Sequence, residues 1–340
     1  MRHALAILFF LTLTSQLPAR NKAVLIGIAN YPDTSGWQKL SSRNDIQLLK
    51  NTFPPDWEIR ILEDEKATRN GIVSLLESIA EHTRPGDTVF IHFSGHGQQM
   101  IPIEDNGSEP DFLDEALVPF DALQQYTPSY HGENHLRDDE FASLVTKIRS
   151  KAGRQGFVMV SLDACHSDSM QKGEDDSAPS NEIIYRGSAE IFGKNVTEKD
   201  IKKRYTRDTS RITATDKADV VFLSACQAHS QNQEIKIDDT GYGSLSYAMA
   251  RALEQHGFSN MDTLLNKVVF AMDQLVPYQY PGIRTSFNYQ RPKLNKKSAR
   301  PVPAQQPATA RNRLCPIIAT SLLFCLTLTA IALWKKKRHR

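Results

Sequence analysis

Two short stretches carry side chains able to do covalent chemistry. "VSLDACHSDS" at residues 160–169 sets Cys165 beside His166, and "FIHFSGHGQQ" at residues 90–99 sets His96 between two glycines. A cysteine next to a histidine can ligate a metal, pack in a core, or form half of a catalytic site. A thiol is only slightly ionised near neutral pH, and a neighbouring imidazole raises the reactive thiolate fraction. Glycines flanking His96 let backbone come close to a substrate, where a free N–H can stabilise an oxyanion. The four cysteines, at 165, 226, 315 and 325, have no CxxC and no paired spacing, which argues against a zinc site or a disulfide framework.

Whether the two stretches meet depends on the elements that carry them. "KAVLIGIANY", "GDTVFIHFSGHG" and "GFVMVSLDACHS" are short apolar runs closed by turn residues, the pattern of buried strands. "WEIRILEDE" alternates as a strand, and "EALVPFDA" is a further short one. "SSRNDIQLLKNTF" has helical spacing, "ATRNGIVSLLESIAEHT" a helix with Thr68 as cap, and a third helix is expected from Asp138 to Arg149. Strands alternating with helices predict an α/β fold, a mostly parallel sheet with helices on both faces. Reactive groups in such sheets collect at the carboxyl ends of strands, so His96 and Cys165 are expected to be neighbours in space.

Residues 167–215 break this rhythm, being polar and charged, and are read as a long exposed linker. The fold resumes with the strand "ADVVFLSACQAHS" and the helices "GSLSYAMARALEQHG" and "NMDTLLNKVVFAMDQL". A catalytic domain over 20–290 thus divides into 22–166, the linker, and 216–290. Net charge is only +2, with the surplus in the final "KKKRHR", so nothing points to nucleic acid.

The ends predict a topology. Residues 1–19 combine a basic start, a short apolar run and a Pro-Ala exit, the pattern of a signal peptide. Residues 291–313 are rich in Pro, Gln and Ala and read as a stalk. Residues 314–334 are uncharged and long enough to span a bilayer, and the basic tail 335–340 follows. The positive-inside bias puts that tail in the cytoplasm and the body beyond the membrane.

"HFSGHG" and "LDACHS" resemble the histidine and cysteine boxes of the caspase-like cysteine peptidases, peptidase family C14, most closely the metacaspases. "VLIGIANY", "FLSACQAHSQNQE" and "GYGSLSYAMARALE" follow in the matching order, so the resemblance covers roughly residues 22 to 290. It implies a caspase-like fold and an endopeptidase with Cys165 as nucleophile, His96 as acid/base, and the N–H groups of Gly97 and Cys165 as oxyanion donors. His166 points elsewhere if its strand continues. Polypeptides with Arg or Lys before the cleaved bond are the implied substrates, held by an acidic pocket matching Asp45, Asp163 and Ser94. As alternatives from the residues alone, Asp45 caps a helix and Asp163 forms a turn.

No zinc or organic cofactor is implied. The resemblance also implies a calcium response through the carboxylates that match Asp114, Asp138 and Asp139, and flexible oxygen ligands suit that ion. Lys172 stands where the family has a further carboxylate, and the other reading puts Asp138 and Asp139 at a helix start. Lys172, Arg186 and the run Lys202-Lys203-Arg204 are basic sites in the linker at which such an enzyme would cut itself. A silent binding or scaffold protein, and a transpeptidase in a related fold, are the alternatives to a hydrolase.

Overall fold

Apolar residues on successive positions of a strand face opposite sides, so a run of them needs cover on both faces. The computed structural model describes residues 20–101, 113–165, 183–188, 190–194, 212, 216–227 and 231–292, and it bears out that expectation. The strands are β1 (Asn21–Gly27), β2 (Glu58–Glu63), β3 (Thr88–Ser94), β7 (Phe157–Asp163), β8 (Asp219–Ser224) and β11 (Gly282–Thr285). They form one sheet in the order β11-β8-β7-β3-β1-β2. All neighbours are parallel except the edge strand β11, which runs antiparallel to β8.

Val24, Ile26, Ile91 and Val160 face α2 (Arg69–His82) and α3 (Asp138–Ala152), packing on Ile72, Leu76, Phe141 and Ile148. Ala23, Leu25, Phe90 and Met159 face the other way. There α1 (Ser42–Lys50), α4 (Ser244–His256) and α5 (Met261–Leu275) cover them with Ile46, Leu49, Met249 and Val268. Thr68 caps α2 as expected, accepting from the Gly71 N–H at 3.1 Å. The residue before α3 is Arg137, without a side-chain cap, so Asp138 begins the helix rather than capping it.

Smaller elements complete the carboxyl edge. β4 (Gly97–Met100), β5 (Asp114–Leu117) and β6 (Leu136–Arg137) make a three-stranded antiparallel sheet. β9 (Glu234–Ile237) and β10 (Thr240–Gly243) form a hairpin closed by Asp238 and Asp239, both at positive φ. Two such residues in succession are what a tight, right-twisted hairpin turn requires.

Part of the expected exposed linker is buried. Residues 183–188 and 190–194 run across the sheet's carboxyl edge, and Arg186 there has no solvent exposure. The expected leader 1–19, span 314–334 and tail 335–340 lie outside the described residues, as do His166, Lys172 and Lys202–Arg204. Among the described residues no helix is long and apolar enough to cross a membrane.

The loop after β1 is pinned by one buried carboxylate. Asp64 accepts from the Ala29 and Asn30 N–H groups at 2.7 and 2.8 Å, from the Asn30 amide at 2.8 Å, and from Arg43 at 2.9 Å. Burial alone would raise its pKa, but the Asn30 and Ala29 hydrogen bonds and the Arg43 charge outweigh it and hold the carboxyl below the ordinary value. A depressed folded pKa contributes stability above the unfolded value near 4 and loses it as pH falls through the folded one. Asp64→Ala is therefore expected to cost about 3 kcal/mol at pH 7 by urea unfolding, with the gap to wild type narrowing below about pH 4.

Candidate active site

Four chain segments meet where β1, β3 and β7 end. After β3 the chain turns through Gly95 and His96 into β4, and after β7 it reaches Cys165. The Cys165 N–H and the Gly97 N–H both donate to one carbonyl, that of Arg186, at 2.9 and 3.3 Å. Two residues remote in sequence thus grip a single peptide oxygen, the geometry of an oxyanion hole with an amide already in it. Gly97 and Cys165, the two residues named from the resemblance, are thereby brought to one oxygen.

His96 is buried beneath aromatic rings, stacked on Trp37 with centroids 4.8 Å apart and tilted against Tyr31 at 5.1 Å. The Tyr31 hydroxyl accepts from the His96 N–H at 3.0 Å and donates to the Val118 carbonyl at 2.9 Å, which fixes the backbone at the histidine. Its ring Nε2 lies 2.9 Å from the Gln38 carbonyl, which assigns the proton to that nitrogen. Nδ1 has no hydrogen-bond partner and stays available as a base. Burial lowers the His96 pKa to about 4 against the opposing Gln38 carbonyl, so the ring is neutral across the physiological range.

Beside Cys165 and His96 is a closed acidic pocket. Asp45 comes from the first turn of α1, Ser94 from the end of β3 and Asp163 from the end of β7, so the three expected residues do converge. None of the three is exposed. Glu234 of β9 joins them, anchored by the Ser41 N–H and hydroxyl at 2.7 Å each. The pocket holds the Arg186 guanidinium. Nη2 donates to Asp45 at 2.7 Å and Glu234 at 2.8 Å, while Nη1 donates to Ser94 at 2.6 Å and lies 3.9 Å from Asp163. The cation therefore bridges several carboxylates at once.

The carboxylates are held by a second ring of donors that sequence reading missed. Ser246, in the first turn of α4, gives both its N–H and its hydroxyl to Asp163, at 2.7 and 2.6 Å, and Asn232 donates to the other oxygen at 2.7 Å. Asp45 accepts from Ser94 at 2.8 Å and from the Gly243 N–H at 2.9 Å. His92 lies below, 3.1 Å from both Ser161 and Ser246. A side chain at Gly243 would run into Asp163 and the guanidinium, so the pocket needs a glycine there. The signals existed in sequence: alternating Glu234, Ile235 and Ile237 before Asp-Asp mark a hairpin, and Ser244 and Ser246 open a helix.

Burial raises Asp45 to about 6, against the lowering charge of Arg186, and the nearby Asp163 charge adds to the rise. Burial would raise Asp163 too, but Arg186 and the Ser246 and Asn232 hydrogen bonds bring it below the ordinary range. Arg186 is held firmly in its charged form.

Cys226, at the end of β8, lies with its sulfur 3.0 Å from that of Cys165. Its hydrogen bond to Cys165 and its burial push the Cys226 thiol well up, so it stays protonated and donates to the Cys165 sulfur. The expected calcium positions are less convergent. Asp114 is ion-paired with Arg137, Asp138 and Asp139 open α3, and no group of three or more His, Cys, Asp or Glu suited to a metal occurs among the described residues.

Comparison with known proteins places this arrangement. The caspase domain, peptidase family C14, matches residues 20–301. Metacaspase-1 of Pyricularia oryzae is 24% identical over 287 residues, covering 75% of this chain and 69% of that protein. Metacaspase-1 of Candida albicans is 24% identical over 292 residues, covering 75% and 62%. Metacaspase-1A of Aspergillus fumigatus is 26% identical over 292 residues, covering 75% and 66%. The chain thus spans about two thirds of the length of these relatives. A crystal structure of a Geobacter sulfurreducens protein shares the fold, with a TM-score of 0.55 at 21% identity over 80% of this chain and 98% of that one. With a buried cysteine and histidine at adjacent strand ends and the family's domain matched from residue 20 to 301, the chain belongs to the caspase-domain family of cysteine peptidases.

Proposed function

We propose that this protein is a cysteine endopeptidase that cuts after Arg or Lys and that one of its substrates is its own Arg186–Gly187 bond. One observation carries the reading. Arg186 lies in the site as a residue before a cleaved bond would, with its side chain in the acidic pocket and its carbonyl on the Cys165 and Gly97 N–H groups. Its backbone is paired like a bound strand, the Arg186 N–H donating to the Asn232 carbonyl at 2.8 Å and the Glu234 N–H to the Ile184 carbonyl at 2.9 Å. Exposed basic residues would mark an incidental loop, whereas this one has no solvent exposure and is ion-paired with Asp45 and Glu234.

The chemistry follows from these positions. Neutral His96 takes the thiol proton of Cys165, and the sulfur attacks the Arg186 carbonyl carbon. Negative charge grows on the oxygen already held by the Cys165 and Gly97 N–H groups. The Gly187 amine leaves with the proton from His96, and water then hydrolyses the thioester. Rejection of acidic side chains follows from the pocket, since Asp there would add a charge to three buried carboxylates.

The same reading extends to topology: a leader at 1–19, a membrane span at 314–334, and the catalytic domain outside the cytoplasm. N-terminal sequencing of membrane-isolated protein tests it, with a mature start near residue 20 expected and a retained Met1 counting against the leader.

Purified wild type is expected to nick between Arg186 and Gly187, seen by mass spectrometry, while Cys165→Ala stays whole and Arg186→Ala is spared at that bond. Against reporter peptides, hydrolysis of Arg- and Lys-ending substrates with none of an Asp-ending one is expected. No turnover of any of them would favour a scaffold, and aminolysis products with an added amine would favour a transpeptidase.

Asp163→Asn is expected to lower kcat/KM for an Arg reporter by about 100-fold, the order set by breaking a buried charge pair. The pocket also predicts a pH effect on KM. Asp45 titrates at about 6 with the guanidinium present and, because that charge lowers it, higher in the empty pocket. Affinity for an Arg peptide is therefore complete above the empty-pocket value and weakens as pH falls toward about 6. A KM for the Arg reporter that is flat from pH 8 to 6 would contradict this.

A further inference from the structure

The segment beyond the Arg186–Gly187 bond occupies a second, differently built site. Gly187 pairs with Gly97, and a side chain there would come within 2.5 Å of the Cys165 carbonyl oxygen, so only a glycine fits directly after the bond. Further on, Phe192 makes an isolated parallel bridge to Met100 of β4. The Phe192 N–H donates to the Gln99 carbonyl at 2.8 Å, and the Ile101 N–H to the Phe192 carbonyl at 2.9 Å. The Phe192 ring is 3% exposed and enters an aromatic pocket. Ring centroids lie at 4.8 Å from His135, 5.7 Å from Tyr130 in an edge-on contact, and 5.9 Å from Tyr126, with Met100 in the same cluster.

This pocket is held by its own polar framework. Buried Gln98 donates to the Glu190 carbonyl at 3.0 Å and to the Gln124 carbonyl at 3.0 Å, and its oxygen lies 3.0 Å from His135 Nε2. The other His135 nitrogen is 3.0 Å from the Tyr130 hydroxyl. One turn that shapes the cavity has Gly132 at φ +94°, where a side chain would fall 2.8 Å from the Phe192 ring. Gln98 thus reads the backbone of the segment, and the rings read one side chain.

We infer that this is a substrate subsite, taking a large aromatic side chain six residues after the cleaved bond, so that preferred polypeptides carry Arg-Gly followed by an aromatic at that spacing. The inference rests on the peptidase reading above and adds a specificity that the acidic pocket does not supply. Arg186 and Phe192, each seated in its own pocket, fix the register of the scissile bond after Arg186, because a segment held at two points cannot slip.

Two measurements on the full chain test it. Phe192→Ala is expected to slow the Arg186–Gly187 nick about tenfold or more, with Phe192→Tyr close to wild type. In trans, a peptide copying residues 181–194 is added to the Arg186→Ala/Phe192→Ala protein, whose own segment fills neither the acidic nor the aromatic pocket. Its kcat/KM is expected to exceed about tenfold that of the same peptide with Ala in place of Phe. Equal rates for the two peptides, or a Phe192→Ala chain that nicks at the wild-type rate, overturn the inference. An Arg reporter that ends at the scissile bond separates the two failures. If wild type hydrolyses it while the peptides are cut alike, only the aromatic subsite falls. If wild type cleaves neither reporter nor peptide, the peptidase reading falls and takes the subsite with it.

Discussion

Burying negative charge without a partner is costly, and this site buries three acidic side chains around one small volume. Asp45, Asp163 and Glu234 are enclosed at the carboxyl edge of the sheet, and the Arg186 guanidinium is the cation that offsets them. The hydrogen bonds from Ser94, Ser246, Asn232 and Gly243 make such a cluster tolerable, because each gives a carboxylate oxygen a donor in place of water. The pocket is therefore defined by a charge that it needs. Without that cation the three buried carboxylates would be left unpaired.

The second constraint is positional. A peptide carbonyl can accept from two N–H groups only if both lie within a few tenths of an ångström of their places. Gly97 and Cys165 achieve this because β3 and β7 are adjacent and in register, Ser94 opposite Asp163. The chain leaving each strand then arrives at the same edge. His96 is set by rings on one side and by the Gln38 carbonyl on the other, so its neutral form and the orientation of its free nitrogen follow from packing. Asp64 contributes at a distance, by fixing the loop that carries Tyr31.

Most of the large sheet was legible in the chain. The buried strands β1, β3 and β7 read as apolar runs, and α1, α2 and α3 as helical spacing, because burial on two faces and on one stripe leave different periods. The pocket residues Asp45, Ser94 and Asp163 were reached through resemblance of motif, and they do converge. Glu234, Asn232 and Ser246 were not reached. They sit on a short hairpin and a helix start, where local pattern is weak and the role comes from what lies opposite in space. The segment around Arg186 was misjudged as solvent-exposed for a related reason. Its polar, charged composition is that of a solvated loop, and only a pocket elsewhere in the chain makes one of its charges a buried one.

The amino-acid sequence by itself determined the class of fold and the family boxes that single out Cys165 and His96, since these depend on residue types at short spacing. The tertiary structure decided which basic residue meets the carboxylates, which two N–H groups share its carbonyl, and that Phe192 fills an aromatic cavity beyond it. Those are contacts between segments far apart along the chain, and no local period or composition encodes the partner across the gap. Their energies come from mutual burial, which exists only once the sheet has brought the strand ends together.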